Sequence, residues 1–108
     1  MISKIRGTRD ILDTKTLWSV LTTVKKQLMA YHFQEIVLPI LEPVSLFKRS
    51  LGLQTDVVAK EMFVVSSSSA SEQEDAICLR PEVTASTVRA FVENGIQTVP
   101  WKVFTYGS

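Results

Sequence analysis

Cysteine is almost missing from this sequence: Cys78 stands alone, so no internal disulfide can form. With no signal peptide at the start, that scarcity points to a reducing, cytoplasmic setting. Histidine is equally scarce. His32 is the only one, and one Cys with one His cannot assemble a metal cluster. His32 also has no Ser, Cys or Asp placed beside it as a catalytic triad, so it reads as a turn residue. No apolar run approaches the ~18 residues a helix needs to cross a bilayer, which argues for a soluble protein with no membrane partner. An excess of either charge is lacking too, with 12 Lys and Arg against 11 Asp and Glu. A surface that grips phosphate backbones throughout carries a basic surplus, so strong RNA binding would have to lie elsewhere. The four glycines are scattered, which excludes a P-loop or Rossmann phosphate cradle.

What is present is the composition of a folded domain, 45% hydrophobic and 21% charged. Gly7 marks a turn in a polar opening. Asp13 or Thr14 can cap a helix by accepting from free first-turn amides. Behind them Leu17, Val20, Leu21, Val24, Leu28 and Tyr31 recur at helical spacing, with Lys15, Thr22, Lys25 and Lys26 mostly opposite. That spacing predicts an amphipathic helix of about four to five turns. Residues 33–38 are rich in β-formers and should form a strand that Pro39 ends. Pro43 should open a short helix with Val44, Phe47 and Leu51 on one face, stopped by Gly52. Met62 to Val65 and Ala76 to Leu79 read as a hairpin, joined by a serine-rich, acidic surface loop from Ser66 to Asp75. Cys78 lies in the apolar run Ala76–Leu79 and is expected to be buried and structural. A second amphipathic helix follows Pro81, with Thr84, Ala85, Val88, Phe91 and Val92 on its stripe and Gly95 as its stop. Pro100 to Tyr106 reads as a last strand. The order of elements predicts an α+β fold on an antiparallel sheet. A final strand with nothing after it to pair with predicts an exposed sheet edge, and hence an oligomeric or marginally stable chain.

Chemistry concentrates in Leu79-Arg80-Pro81-Glu82-Val83-Thr84. A carboxylate and a hydroxyl stand two residues apart at a strand-to-helix junction, where a rigid sheet can aim side chains at a ligand. Glu82 could accept charge-assisted hydrogen bonds from an ammonium group. It could equally complement the positive end of the helix dipole. The residues leave both readings open.

Several segments, in order, resemble the histidyl-tRNA synthetases of class II. These are Arg6-Gly7-Thr8-Arg9-Asp10-Ile11-Leu12, and Tyr31 to Ile36 running into Leu38-Pro39-Ile40-Leu41-Glu42-Pro43. Phe47 to Gly52, Thr55 to Val58 and Lys60 to Met62 continue the likeness, followed by Leu79 to Ala85, Val88 to Ala90, and Trp101 to Gly107. The resemblance spans nearly the whole chain. It implies that residues 1–108 are an incomplete N-terminal part of the catalytic domain, from motif 1 to the strand leading into motif 2. The fold implied is a partial class II core, an antiparallel sheet with flanking helices.

The activity implied is that of the full-length enzyme: histidine is activated with ATP and Mg2+ to histidyl-adenylate, then passed to tRNA(His). Glu82, Val83 and Thr84 match the histidine-binding segment, with Glu82 and Thr84 on the α-ammonium group and Arg80 and Pro81 as the frame around them. Motif 1 implies a homodimer, with Val20, Val24, Leu28 and Pro39 at its interface. No catalytic residue and no metal ligand is carried over onto this stretch, and tight cofactor binding is not expected of it alone. The α-phosphate arginine of motif 2, motif 3 and the anticodon-binding domain would lie past Ser108, so the stretch alone should not form adenylate. Three departures from the pattern stand out. Val83 and His32 each replace a usual glycine, and Asp13 replaces a usual proline; His32 thereby argues against a left-handed turn. Two other readings share the resemblance. One is a histidine-binding regulatory paralogue, the regulatory subunit of ATP phosphoribosyltransferase, which tends to carry Asp where Glu82 stands. The other is a synthetase-like dimerisation or sensing module. A class II enzyme for threonine or proline fits the Arg6 to Leu12 wording less well.

Overall fold

The computed structural model of the protein describes residues 1–52, 62–65 and 76–107. The chain divides into two compact units, Met1–Gln34 and Glu35–Ser108. The Ser66–Asp75 loop and the Thr55–Val58 and Lys60–Glu61 segments lie outside the described residues.

The first unit is one helix and its approach. After a turn at Gly7, closed by a hydrogen bond from the Thr8 amide to the Ile5 carbonyl, α1 runs Thr14–Ala30. Asp13 is its N-cap. One carboxylate oxygen accepts from the Thr16 amide at 3.2 Å and the other from the Thr16 hydroxyl at 2.6 Å. These bonds hold the Asp13 carboxyl below its ordinary value, the side-chain bond contributing most. No residue of α1 is buried. Leu17, Leu21 and Leu28 are half-buried, whereas Val20 and Val24 from the same sequence stripe are exposed.

The helix ends in a way that corrects the expectation for His32. Its φ is +64°, inside the left-handed region that the replacement of glycine seemed to exclude. The cause is the helix terminus. The His32 amide donates to the Met29 carbonyl and the Phe33 amide reaches back to the Leu28 carbonyl, both at 3.0 Å. This pair of bonds closes the last turn only if the residue between is left-handed. Histidine tolerates that conformation better than β-branched or bulky residues do.

At the boundary between the two units in sequence, the expected strand over 33–38 shortens to β1, Gln34–Glu35. One further bond runs from the Ile36 amide to the Phe104 carbonyl at 2.9 Å. A strand not anticipated, β2, follows at Leu41–Pro43. Pro43 ends it and serves as N-cap of α2, Val44–Leu51, so it precedes the first helical turn rather than entering it. Gly52, at φ +81°, closes α2 in a conformation that glycine adopts without steric cost. The hairpin strands are β3, Val64–Val65, and β4, Ile77–Leu79. They complete an antiparallel sheet in the order β2-β4-β3. The second predicted helix, α3, covers Thr84–Glu93. The last predicted strand reduces to β5, Val103–Phe104.

Alternation on the sheet decides what is inside. In β2 and β4 only the central residues, Glu42 and Cys78, are buried, and they stand opposite each other. Cys78 joins Val44, Phe47 and Ala85 in the core, with Leu46 and Met62 against it. Its thiol donates to the Glu42 carbonyl at 3.5 Å, so the cysteine is structural, as its apolar setting suggested. Phe91 adds a tilted ring contact to Trp101 at 5.5 Å.

The packed face of α3 differs from the predicted stripe. Ala85 and Ser86 are buried, while Val88 and Val92 are 58% and 70% exposed. Glu42, only 4% exposed, requires a cationic partner, because a buried charge left alone is very costly. Arg89 supplies it. Its Nη2 and Nε donate to one Glu42 oxygen at 2.8 and 3.2 Å, and its Nη1 donates to Glu93 at 2.5 Å. Turning Arg89 toward the sheet carries Val88 away from it. Hydrogen bonding to Glu42 is also the main reason that Arg89 holds its proton more tightly than usual.

Candidate functional site

The site begins at the end of β4. This strand is paired on both sides, Leu41↔Leu79 with β2 and Val64↔Cys78 with β3, so its exit is fixed. Pro81 has no amide hydrogen and cannot extend a ladder. Arg80, held between strand and proline, donates three times to one short stretch. Its amide reaches the Ile40 carbonyl at 2.9 Å, and its Nη1 reaches the Leu38 and Pro39 carbonyls at 3.1 and 3.2 Å. Three successive carbonyls between β1 and β2 thus find donors in a single residue.

Glu82 follows and does what its place beside a helix start suggested. Its two oxygens accept from the Thr84 amide at 2.5 Å and the Ala85 amide at 3.0 Å, satisfying two of the orphan donors of α3. This does not exhaust the carboxylate, which offers about four lone-pair sites. The cap orients Glu82 and leaves acceptor capacity. Arg80, Pro81, Glu82, Val83, Thr84 and Gly107 line one hollow of about 320 Å³. Val83 and Thr84 also line a second hollow, of about 350 Å³, with Ile36, Thr87, Val88 and β5 through Thr105. Glu82 and Thr84 therefore both border one hollow. Val83 is 38% exposed, with φ −108°, a conformation open to any residue. Its bulk sits in the wall of the hollows and strains nothing.

The chain matches no family model. Curated relatives are matched instead. The histidine–tRNA ligase of Synechococcus sp. is 46% identical over 99 residues, which is 90% of this chain, and that of Aquifex aeolicus is 44% identical over 95 residues, or 86%. Its relatives are histidine–tRNA ligases. The chain spans 23% of the length of each of these two. Among solved structures, apo histidyl-tRNA synthetase of S. aureus aligns with 97% of this chain and 24% of its own, at 31% identity and a TM-score of 0.66. A Bacillus halodurans protein described as an ATP phosphoribosyltransferase regulatory subunit/histidyl-tRNA synthetase gives a TM-score of 0.72. It aligns with 99% of this chain and 27% of its own, but at 20% identity it speaks for the fold alone. The mixture of helices and antiparallel sheet seen here is thus that of the synthetase fold.

Against the ligase pattern, Glu82, Val83 and Thr84 come together with the frame residues Arg80 and Pro81 in one hollow. The four residues expected at a subunit interface are less uniform. Val20, Val24 and Pro39 are exposed and Leu28 is half-buried. Among the described residues no three His, Cys, Asp or Glu side chains gather where they could hold a metal ion. The sequence reading missed the Glu42–Arg89 pair. Its only signal was an acid inside the apolar run Ile40-Leu41-Glu42-Pro43-Val44.

Proposed function

We propose that this chain is the N-terminal part of the catalytic domain of a histidine–tRNA ligase. The full-length protein would activate histidine with ATP and pass it to tRNA(His). One observation carries the reading: Glu82 and Thr84, which the resemblance assigns to the histidine-binding segment, line one hollow at a junction fixed by β4 and Arg80. A carboxylate already oriented by two amides is pre-organised to receive an α-ammonium group, with Thr84 lining the same hollow. Pre-organisation of this kind lowers the ordering cost of binding. ATP belongs to the same reading. Its α-phosphate arginine is expected after Ser108, so residues 1–108 on their own should give no histidine-dependent pyrophosphate exchange. The exposed Val20 and Val24 on α1 support a homodimer formed through that helix, and a cytoplasmic enzyme fits the lone cysteine.

The test uses the full-length ligase. Glu82→Gln keeps an acceptor for the helix amides but removes the charge. A hydrogen bond to a charged group is worth about 1.5–3 kcal/mol, so KM for histidine in pyrophosphate exchange should rise on the order of 10- to 100-fold while KM for ATP holds. An unchanged KM for histidine would remove the basis of the reading. Histidine binding without any exchange would point to the regulatory paralogue instead.

A further inference from the structure

Arg80 lines the same hollow as Glu82 and Thr84, and it also reaches backward, into the stretch between β1 and β2. It ties Ile40 through the backbone and Leu38 and Pro39 through the guanidinium. These contacts span about 40 residues of sequence and end two residues short of the carboxylate. A second segment shapes the same side chain. A methyl group placed on Gly107 would lie 3.3 Å from Arg80 Nη2, tighter than an ordinary contact, and Gly107 has φ +146°. Glycine there leaves room for the guanidinium.

We infer that Arg80 is a positioning residue for histidine: by clamping the β4 exit onto three consecutive carbonyls, it sets the direction in which Glu82 and Thr84 face their ligand. The inference rests on the proposed ligase reading. Lysine keeps the charge of arginine but is a flexible point donor, not a planar fork, and cannot hold Leu38 and Pro39 in the same geometry. A site 1 Å out of place loses much of its effect even when every contacting residue is intact. The loss should fall on the ligand that Glu82 and Thr84 hold and spare the nucleotide.

The experiment compares Arg80→Lys, Gly107→Ala and Glu82→Gln in the full-length ligase, reading KM for histidine, KM for ATP, kcat and the urea midpoint. Arg80→Lys should raise KM for histidine about tenfold, with KM for ATP within about twofold. Gly107→Ala, which crowds the guanidinium from a different segment, should move the same constant by a smaller factor. If Arg80→Lys does not fold, Arg80→Gln, which keeps a planar donor toward the Leu38 and Pro39 carbonyls, is read in its place. A rise confined to histidine supports the positioning role. Equal rises for both substrates alongside a lowered midpoint would assign Arg80 a merely structural part and overturn it. No change with Arg80→Lys, while Glu82→Gln still weakens histidine, would also overturn it and leave the ligase reading standing. An inert Glu82→Gln would remove both.

Discussion

Helices α1 and α3 are written in much the same amphipathic pattern, yet they are placed very differently. The apolar residues of α1 reach at most a half-buried state, and none is buried. Helix α3 has two buried residues, Ala85 and Ser86, an ion pair to the sheet, and a side-chain contact at each end. A hydrophobic stripe states that a face needs cover; it does not say what covers it. In α3 the cover is the sheet and α2, whereas for Val20 and Val24 no cover lies within the described residues of the first unit. Burial energy in this chain therefore concentrates in the second unit.

Substitutions can break that contrast. Phe47 is fully buried, so Phe47→Ala should lower stability by about 3–5 kcal/mol. Val20→Ser on the exposed side of α1 should change it by less than about 0.5 kcal/mol. Urea midpoints of the two variants measure this, and equal losses would end the contrast. Next in size is Arg89→Ala, which strands Glu42 in a buried position. About 3 kcal/mol should be lost, and Glu42→Leu in the same chain should recover most of it. If Glu42→Leu restores nothing, the arginine matters for packing and not for charge.

Smaller effects sharpen the first unit. His32→Gly removes the side chain from a left-handed position and should stabilise α1 by up to about 1 kcal/mol. A lower helical signal on melting would contradict the cap geometry. Asp13 gives a pH dependence whose sign is fixed. Its folded carboxyl titrates below the unfolded one, so its support is complete above the unfolded value and is lost as pH falls through the folded one. Helicity followed by circular dichroism in wild type but not in Asp13→Asn should show a small decrease across that acid range.

Features carried by neighbours in sequence were legible, because caps and stops are local. Asp13 before α1, Gly52 after α2 and the proline-punctuated junction at Arg80-Pro81-Glu82 all lie where their chemistry places them. The Glu82 ambiguity resolved on its helix side: the carboxylate caps α3, and its remaining lone pairs leave room for a ligand. Long-range partners were not legible. Arg89 meets Glu42 across 47 residues and Arg80 meets Leu38 across 42. No periodicity encodes such a meeting, and the first of them turned α3 away from its predicted stripe. Strand lengths failed for a related reason: how far residues 33–38 stay in a ladder depends on a partner, β5, that lies about 70 residues on and is itself only two residues long.

Cys78, sealed between Glu42 and the core with no exposed surface, makes the second unit its own reporter. A thiol reagent can react there only when the sheet opens, since an inaccessible thiol is inert. The labelling rate of this one sulfur would therefore time the opening of the second unit, with no second cysteine within residues 1–108 to compete.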